Sequence, residues 1–123
     1  MEGKHADQPK VGDCAHDDVV TCGLEDPVSE VRARVQSSPY GFALVTASGG
    51  VLLGRLRASV MRDSGGRAEE AMEPGPSTVR CDTPAGELAE RLAQRDLRTA
   101  VVSTPEGELV GVVLRSELAE KSR

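Results

Sequence analysis

Aromatic side chains are almost absent: the chain holds one Phe, one Tyr and no Trp. That removes the platforms on which single-stranded bases stack. Basic charge is also short, with 15 Lys and Arg against 20 Asp and Glu and a net charge of -5. Such a chain repels phosphate backbones, so nucleic acid is excluded as a partner held by charge. No apolar run approaches the roughly 20 residues that a membrane-spanning helix needs. Met1 to Gly12 is polar and lacks the apolar core of a signal peptide. The expectation is a cytoplasmic protein with no membrane partner and with a mobile stretch over residues 1–12. Three cysteines (Cys14, Cys22, Cys81) are an odd number without framework spacing, which speaks against a disulfide scaffold and for a reducing compartment. There is no P-loop and no Gly-x-Ser-x-Gly elbow, and nothing in the sequence orients a Cys/His pair for nucleophilic attack. No enzymatic activity is expected.

What is present is a repeat. A shift of 57 positions lays Thr21 on Thr78, Pro27 on Pro84, Glu30 on Glu87, Arg34 on Arg91, Ala43 on Ala100, Val45 on Val102, Gly50 on Gly107, Leu52 on Leu109, Gly54 on Gly111 and Ser59 on Ser116, without a gap. Apolar positions coincide as well: Val31 with Leu88, Val35 with Leu92, Leu56 with Val113. Two copies with so long a period do not make a solenoid, which needs at least three stacked units. They point to a pseudo-twofold arrangement.

Each copy reads as strand, helix, strand, strand, helix. In the second copy Ser77 to Arg80 is a short strand. Thr83 is the expected N-cap and Pro84 the first helical residue. Ala85, Leu88, Ala89 and Leu92 form one apolar stripe at helical spacing. Thr99 to Ser103 and Leu109 to Leu114 are strands around a Pro105-Glu106-Gly107 turn. The second of these is apolar on both faces and is expected to be central in its sheet. Arg115 to Glu120 closes the copy as a helix. In the first copy Asp26 is the expected cap, with Pro27 starting a helix whose stripe is Val28, Val31 and Val35. Phe42 to Thr46 and Val51 to Leu56 are the strand pair, turned by Ser48, Gly49 and Gly50. A linker around Asp63-Ser64-Gly65-Gly66 joins the copies. One sheet face of each copy is left bare by its own helix, so the fold class is α/β (α+β), two pseudo-symmetric βαββα repeats packed as one module.

The stretch Glu70 to Leu118 resembles a CBS motif: Met72 before the first strand, Ser77-Thr78-Val79, Thr83-Pro84 at the helix start, Ala100-Val101-Val102, then Gly107 and Val110-Gly111-Val112-Val113. Asp17 to Met61 resembles a more divergent copy. The domains are accordingly motif 1 over residues 13–61, a linker over 62–69 and motif 2 over 70–121. The resemblance implies a tandem pair, or Bateman module. Such pairs commonly bind adenosine-containing molecules of the AMP, ATP or S-adenosylmethionine type in clefts between the motifs, commonly dimerise, and regulate other proteins. It implies no required cofactor and an adenosyl nucleotide as ligand.

In the family, ribose and phosphate are held by a Gly-apolar-apolar-Thr-x-x-Asp run from the last strand into the closing helix. The second copy carries Gly111-Val112-Val113-Leu114-Arg115-Ser116-Glu117. Leu114 stands in the place of the Thr and Glu117 in that of the Asp. Arg115 and Ser116 at the helix start remain able to hold a phosphate, and Thr78 and Val79 would line an adenine slot with Val101 and Val102. The first copy carries Gly54-Arg55-Leu56-Arg57-Ala58-Ser59-Val60. Val60 removes the ribose carboxylate, and Arg57 either pairs with phosphate bidentately or salt-bridges a neighbouring carboxylate. Thr21 and Cys22 occupy the positions of Thr78 and Val79. Glu117 itself is either a ribose ligand or a solvated residue of a short helix.

His5, Cys14, His16 and Cys22 fall in one N-terminal stretch, but their spacing matches no zinc unit. Cys22 and Cys81, aligned with Val79 and Leu24, read as small hydrophobes of the strand regions. No metal is expected. Two functional readings follow. The first is a ligand-sensing regulatory pair. The second is a degenerate pair serving as a dimerisation or protein-interaction module without ligand. In either, apolar helix faces point to a homodimer, with a regulated protein as a further partner.

Overall fold

The computed structural model describes residues 9–63 and 65–121. Most of the stretch expected to be mobile, together with His5 and the linker residue Ser64, lies outside the described residues.

Proline decides where the two long helices begin, one residue later than expected. Helix α2 (Val28–Val35) has Pro27 at its N-cap, with φ -64° and ψ 134°. Helix α5 (Ala85–Gln94) has Pro84 there, with φ -63° and ψ 137°. An extended ψ keeps a residue out of the helix, so each proline precedes the first helical turn and does not open it. Asp26 and Thr83 therefore stand outside the helices. The Asp26 carboxylate instead accepts the Gly23 backbone N–H at 2.9 Å. Both predicted stripes are buried: Val28, Val31 and Val35 in α2, and Ala85, Leu88, Ala89 and Leu92 in α5.

The chain divides into two units. Unit 2 spans Asp18–Ser77 with Gly107–Leu109. Its sheet has the order β1-β2-β3-β4, formed by β1 (Val20–Cys22), β2 (Phe42–Thr46), β3 (Leu52–Arg57) and the two-residue β4 (Glu73–Pro74). Strand β1 runs parallel to β2, while β3 is antiparallel to both β2 and β4. A 3-10 turn at Ser48–Gly50 links β2 to β3. Helices α2, α3 (Ala58–Asp63) and α4 (Ala68–Ala71) accompany the sheet. Val28, Val31, Val35, Val45, Leu56, Met61 and Ala68 form the core.

Unit 1 spans Met1–Asp17, Thr78–Glu106 and Val110–Arg123. Its sheet has the order β5-β6-β7: β5 (Val79–Arg80), β6 (Thr99–Ser103) and β7 (Leu109–Leu114). Strand β5 is parallel to β6, with Val79 opposite Val102. The expected first strand is thus shorter than Ser77 to Arg80. Strand β7 is also not central, since β6 is. An apolar run on both faces records that both faces are covered and says nothing about edges. The core joins Leu88 and Leu92 of α5, Val102, Val113 and Leu118 of helix α6 (Arg115–Lys121) to Val11 and Cys14 of helix α1 (Val11–Cys14).

Helices α1 and α4 are related by the repeat, and each belongs to the unit built on the other copy. Helix α1 precedes the first copy but packs into unit 1; α4 precedes the second copy but packs into unit 2. The backbone anchors correspond one for one. Val11 N–H donates to Thr83 O (2.8 Å), Gly12 N–H to Cys81 O (2.9 Å) and Ala85 N–H to Pro9 O (2.9 Å). Their counterparts are Ala68 N–H to Asp26 O (2.9 Å), Glu69 N–H to Leu24 O (2.9 Å) and Val28 N–H to Gly66 O (2.8 Å). Each set satisfies first-turn N–H groups that a helix leaves unpaired. Among the described residues no helix is long and apolar enough to cross a membrane.

Candidate functional site

The Gly-containing run that crosses from last strand to closing helix is reproduced in both units. In unit 1 it lies on β7 and the start of α6; in unit 2 on β3 and the start of α3. In each, a short backbone segment passes directly over the glycine. In unit 1 this is Ala15–His16. His16 N–H donates to Val112 O at 2.8 Å and Val112 N–H donates back to His16 O at 2.9 Å, an antiparallel bridge on β7. A Cβ on Gly111 would run into the His16 carbonyl and come to 3.3 Å from Ala15 Cβ. In unit 2 the segment is Met72–Glu73, and a Cβ on Gly54 would collide with the Met72 side chain and lie 2.9 Å from Glu73 O. Only glycine permits so close a crossing.

The crossing segment delivers one polar side chain to each run. In unit 1 the His16 imidazole Nε2 meets Glu117 Oε1 at 2.5 Å. In unit 2 Glu73 Oε1 accepts from Arg57 Nε at 2.6 Å and stands 3.6 Å from Arg55 Nε. The Arg57 hydrogen bond, and then the charges of Arg57 and Arg55, hold the Glu73 carboxyl below its ordinary value. His16 and Glu73 are the same repeat position. Residue by residue they are unlike, but both engage the polar group of the run that they cross. From the sequence, His16 is weighed as a metal ligand and Glu73 is not singled out. The signal that could have found them was the repeat itself, carried upstream from Thr21 to the segment before it.

Glu117 and Arg115 lie at the start of α6 and Ser116, exposed, lies between them. Arg115 extends toward Asp96, 3.9 Å away, and its backbone N–H donates to Arg98 O at 2.8 Å. Thr78 is exposed beside β5, where Val79 is half-buried. Val101 and Val102 are consecutive on β6 and so point to opposite faces of the sheet. Val102, with Val79 packed beside it, belongs to the helix-side core of unit 1. Val101 is buried on the other face. Their side chains therefore face opposite sides of β6. In unit 2 Thr21 is half-buried on β1 and Cys22 sits in the helix-side core. Burial raises the Cys22 thiol to about 11 from 9.0, as expected of a cysteine acting as a small hydrophobe. Of the two alternatives for Arg57, the salt bridge to a neighbouring carboxylate is present, to Glu73. Among the described residues, no group of three His, Cys, Asp or Glu is arranged to hold a metal.

Comparison with known proteins gives these runs a context. The family model for the CBS domain matches residues 68–123. No curated protein matches the chain. Among solved structures, the cytosolic domain of the Mg2+ channel MgtE in complex with ATP superposes with a TM-score of 0.78 and 25% identity, over 91% of this chain and 48% of that one. The chain thus spans about half the length of that domain. CBSX2 in complex with AMP gives 0.77 at 17% identity, over 91% of this chain and 94% of that one. The CBS domain pair of protein MJ0100, in complex with 5'-methylthioadenosine and S-adenosyl-L-methionine, gives 0.72 at 15% identity, over 92% of this chain and 94% of that one. The last two are likenesses of fold. Residues 68–123 are thus a CBS domain, and across nine-tenths of its length the chain has the fold of CBS-domain-pair structures.

Proposed function

We propose that this protein is a regulatory module that senses an adenosine-containing small molecule, and that it has no catalytic role of its own. The observation that carries the reading is the likeness to CBS-domain structures that hold ATP, AMP, 5'-methylthioadenosine or S-adenosyl-L-methionine. The motif boundaries 13–61 and 70–121 are part of this proposal, as is a homodimer. In unit 1, Glu117 is the group that would accept from the ribose hydroxyls. A carboxylate with two acceptor oxygens suits a vicinal diol, and charge-assisted bonds are the strong ones. Arg115, Ser116 and Thr78 are the neighbouring polar groups of that unit. Because Glu117 is engaged by His16, ligand entry requires that imidazole to turn away, and removing it strengthens binding.

The test is a thermal-shift series with AMP, ADP, ATP, S-adenosylmethionine and NAD on the wild type, Glu117→Ala and His16→Ala. A ligand that binds only the native state at 100 times its Kd stabilises by about 2.7 kcal/mol. The expected result is a shift with one of these compounds that is lost in Glu117→Ala and enlarged in His16→Ala. No shift with any compound in any variant overturns the reading.

A second reading rests on a specific observation. The polar group of each run already has an internal partner, Glu117 in His16 and Arg57 in Glu73. A pair whose binding groups are permanently satisfied from within would serve as a dimerisation or protein-interaction module. Silent thermal shifts together with a light-scattering mass of twice the chain would favour it.

A further inference from the structure

The turn that follows α5 is closed in a fixed form. Leu97 N–H donates to Leu92 O at 2.8 Å and Asp96 N–H to Ala93 O at 3.2 Å, with Asp96 in the left-handed region at φ 54°. This paired closure is a common helix ending, and it holds the exposed residues Arg95 to Arg98 in place. Such a closure uses an apolar residue at the Leu97 position to cover the helix end, yet 46% of Leu97 stays in solvent. Arg95 and Arg98 flank the turn, and neither makes an ion pair among the described residues. Arg115 joins them, because its backbone N–H donates to Arg98 O at 2.8 Å. Its side chain approaches Asp96, 3.9 Å away and fully exposed. Three cations thus stand about one apolar side chain against a single carboxylate, in a chain whose net charge is -5.

The fold does not require them. The counterparts of Arg95, Leu97, Arg98 and Arg115 in the first copy are Ser38, Tyr40, Gly41 and Ala58. The backbone bond is kept there, with Ala58 N–H donating to Gly41 O at 3.3 Å, but none of the four is charged. Tyr40 is tied down, its hydroxyl donating to the Asp18 carboxylate at 2.6 Å. Helix electrostatics accounts for one cation at most. Arg95, at the C-cap of α5, suits the negative end of a helix, whereas Arg115 opens α6, the end that disfavours a cation.

We propose that Arg95, Leu97, Arg98 and Arg115 form a docking surface on unit 1 for an acidic segment of a partner protein that also carries an apolar side chain. Guanidiniums pair bidentately with carboxylates, and Leu97 supplies the apolar anchor between them. A single leucine in solvent is ordinary. One fixed on a closed turn beside unpaired arginines selects a partner by charge complementarity as well as by contact. The surface goes beyond the nucleotide reading and does not depend on it, since Glu117 takes no part.

Fluorescence anisotropy on the full chain tests it with labelled synthetic peptides. One has glutamates around a central leucine pair, one has glutamates alone, and one is the first with every glutamate replaced by glutamine. The variants are Arg95→Glu, Arg98→Glu and Leu97→Ser, all at exposed positions, with Arg80→Glu on β5 as a control of equal charge change. Each is first checked for an unchanged circular dichroism spectrum. The first peptide is expected to bind, the second about tenfold more weakly and the third not at all. Arg95→Glu and Arg98→Glu should each weaken the first peptide by about tenfold or more, Leu97→Ser by several-fold and Arg80→Glu by about twofold at most, and binding should fall as salt rises. No binding of the first peptide overturns the proposal. So does an affinity unchanged in all three variants, or a loss in Arg80→Glu as large as theirs. Vesicles of phosphatidylserine and phosphatidylcholine that bind the wild type more tightly than the peptide does would assign the surface to a membrane. A light-scattering mass that halves in Leu97→Ser would assign it to a second copy of the chain. Either result also overturns the proposal.

Discussion

Substituting Gly111 by alanine should be among the most damaging single-methyl changes in the chain. The new Cβ meets the His16 carbonyl carbon at 2.9 Å, and all but one of the nearest atoms are backbone, so no rotamer change relieves it. The Ala15–His16 segment must withdraw. That breaks the two bonds that His16 and Val112 exchange at 2.8 and 2.9 Å, each contributing about 0.5–1.5 kcal/mol. It also loosens the His16–Glu117 contact. With side chains 39% and 35% exposed, solvent screening limits that pair to roughly 0–1 kcal/mol. Residual overpacking brings the expected loss to about 2–4 kcal/mol. For a chain of 123 residues, 1 kcal/mol corresponds to roughly 4 °C, so Tm should fall by about 8–16 °C. Thermal unfolding followed by circular dichroism measures this, and hydrogen exchange at the Val112 amide reports whether the crossing has opened. Gly107→Ala is the control. Nothing lies within 4 Å of its Cβ, but its φ is +88°, so it should cost only about 1–2 kcal/mol of left-handed strain. A Tm drop under about 2 °C in Gly111→Ala, with the Val112 amide still protected, would refute the claim that the crossing depends on glycine.

Leu88→Ala removes a fully buried side chain from the unit 1 core and should cost about 2–5 kcal/mol in urea unfolding; a loss below about 1 kcal/mol would mean that the core re-forms without it. Cys22, with its thiol raised to about 11 from 9.0, should resist iodoacetamide at pH 8 in the native protein and react once unfolded. Peptide mapping that finds equal rates in both states would contradict this. Since its folded value exceeds the unfolded one, its contribution to stability is complete below pH 9 and is lost as pH rises from 9 toward 11. Glu73 behaves in the opposite sense. Its carboxyl is held below 4.5 by Arg57, so the stability it contributes is present above pH 4.5 and disappears as pH falls through its lower folded value. Arg57→Gln should flatten that part of an acid-unfolding curve, and an unchanged curve would show that the pair adds nothing.

The repeat and the apolar periods carried most of the fold. Strands at Thr99–Ser103 and Leu109–Leu114 and the stripes of α2 and α5 are where the sequence places them. Local propensity failed by one residue at the helix starts, because proline satisfies the N-cap as readily as the first helical position, and ψ alone decides between them. Strand order was beyond reach for a different reason. The outer edge of β7 is bridged by His16, far away in sequence, and no apolar pattern marks such a partner. Helices α1 and α4 span only four residues each, too short for a period to register. The site fared similarly. The runs through Gly54 and Gly111 were legible as motifs, but the side chains that engage them come from crossing segments whose only sequence mark is a shared place in the repeat. Val101 and Val102 show a simpler limit, since strand alternation already separates neighbours onto opposite faces.

The exchange of α1 and α4 sets an order of assembly during synthesis. All of unit 2 except Gly107–Leu109 lies between Asp18 and Ser77, so it can close over its core, α4 included, while the second copy is still being made. Helix α1 precedes both copies and finishes last. Its acceptors on Thr83 and Cys81 and its bridge to Val112 do not exist until most of the chain has been translated. Until then Val11 and Cys14, buried in the finished protein, have no core to enter. The residues of α1 would thus wait longest for their partners, a loop closure that is slow rather than costly, since its entropy grows only logarithmically with length. A circular permutant that joins residue 121 to residue 9 through a short linker and opens the chain near Ser77 would put the pieces of unit 1 on one continuous stretch and remove that wait.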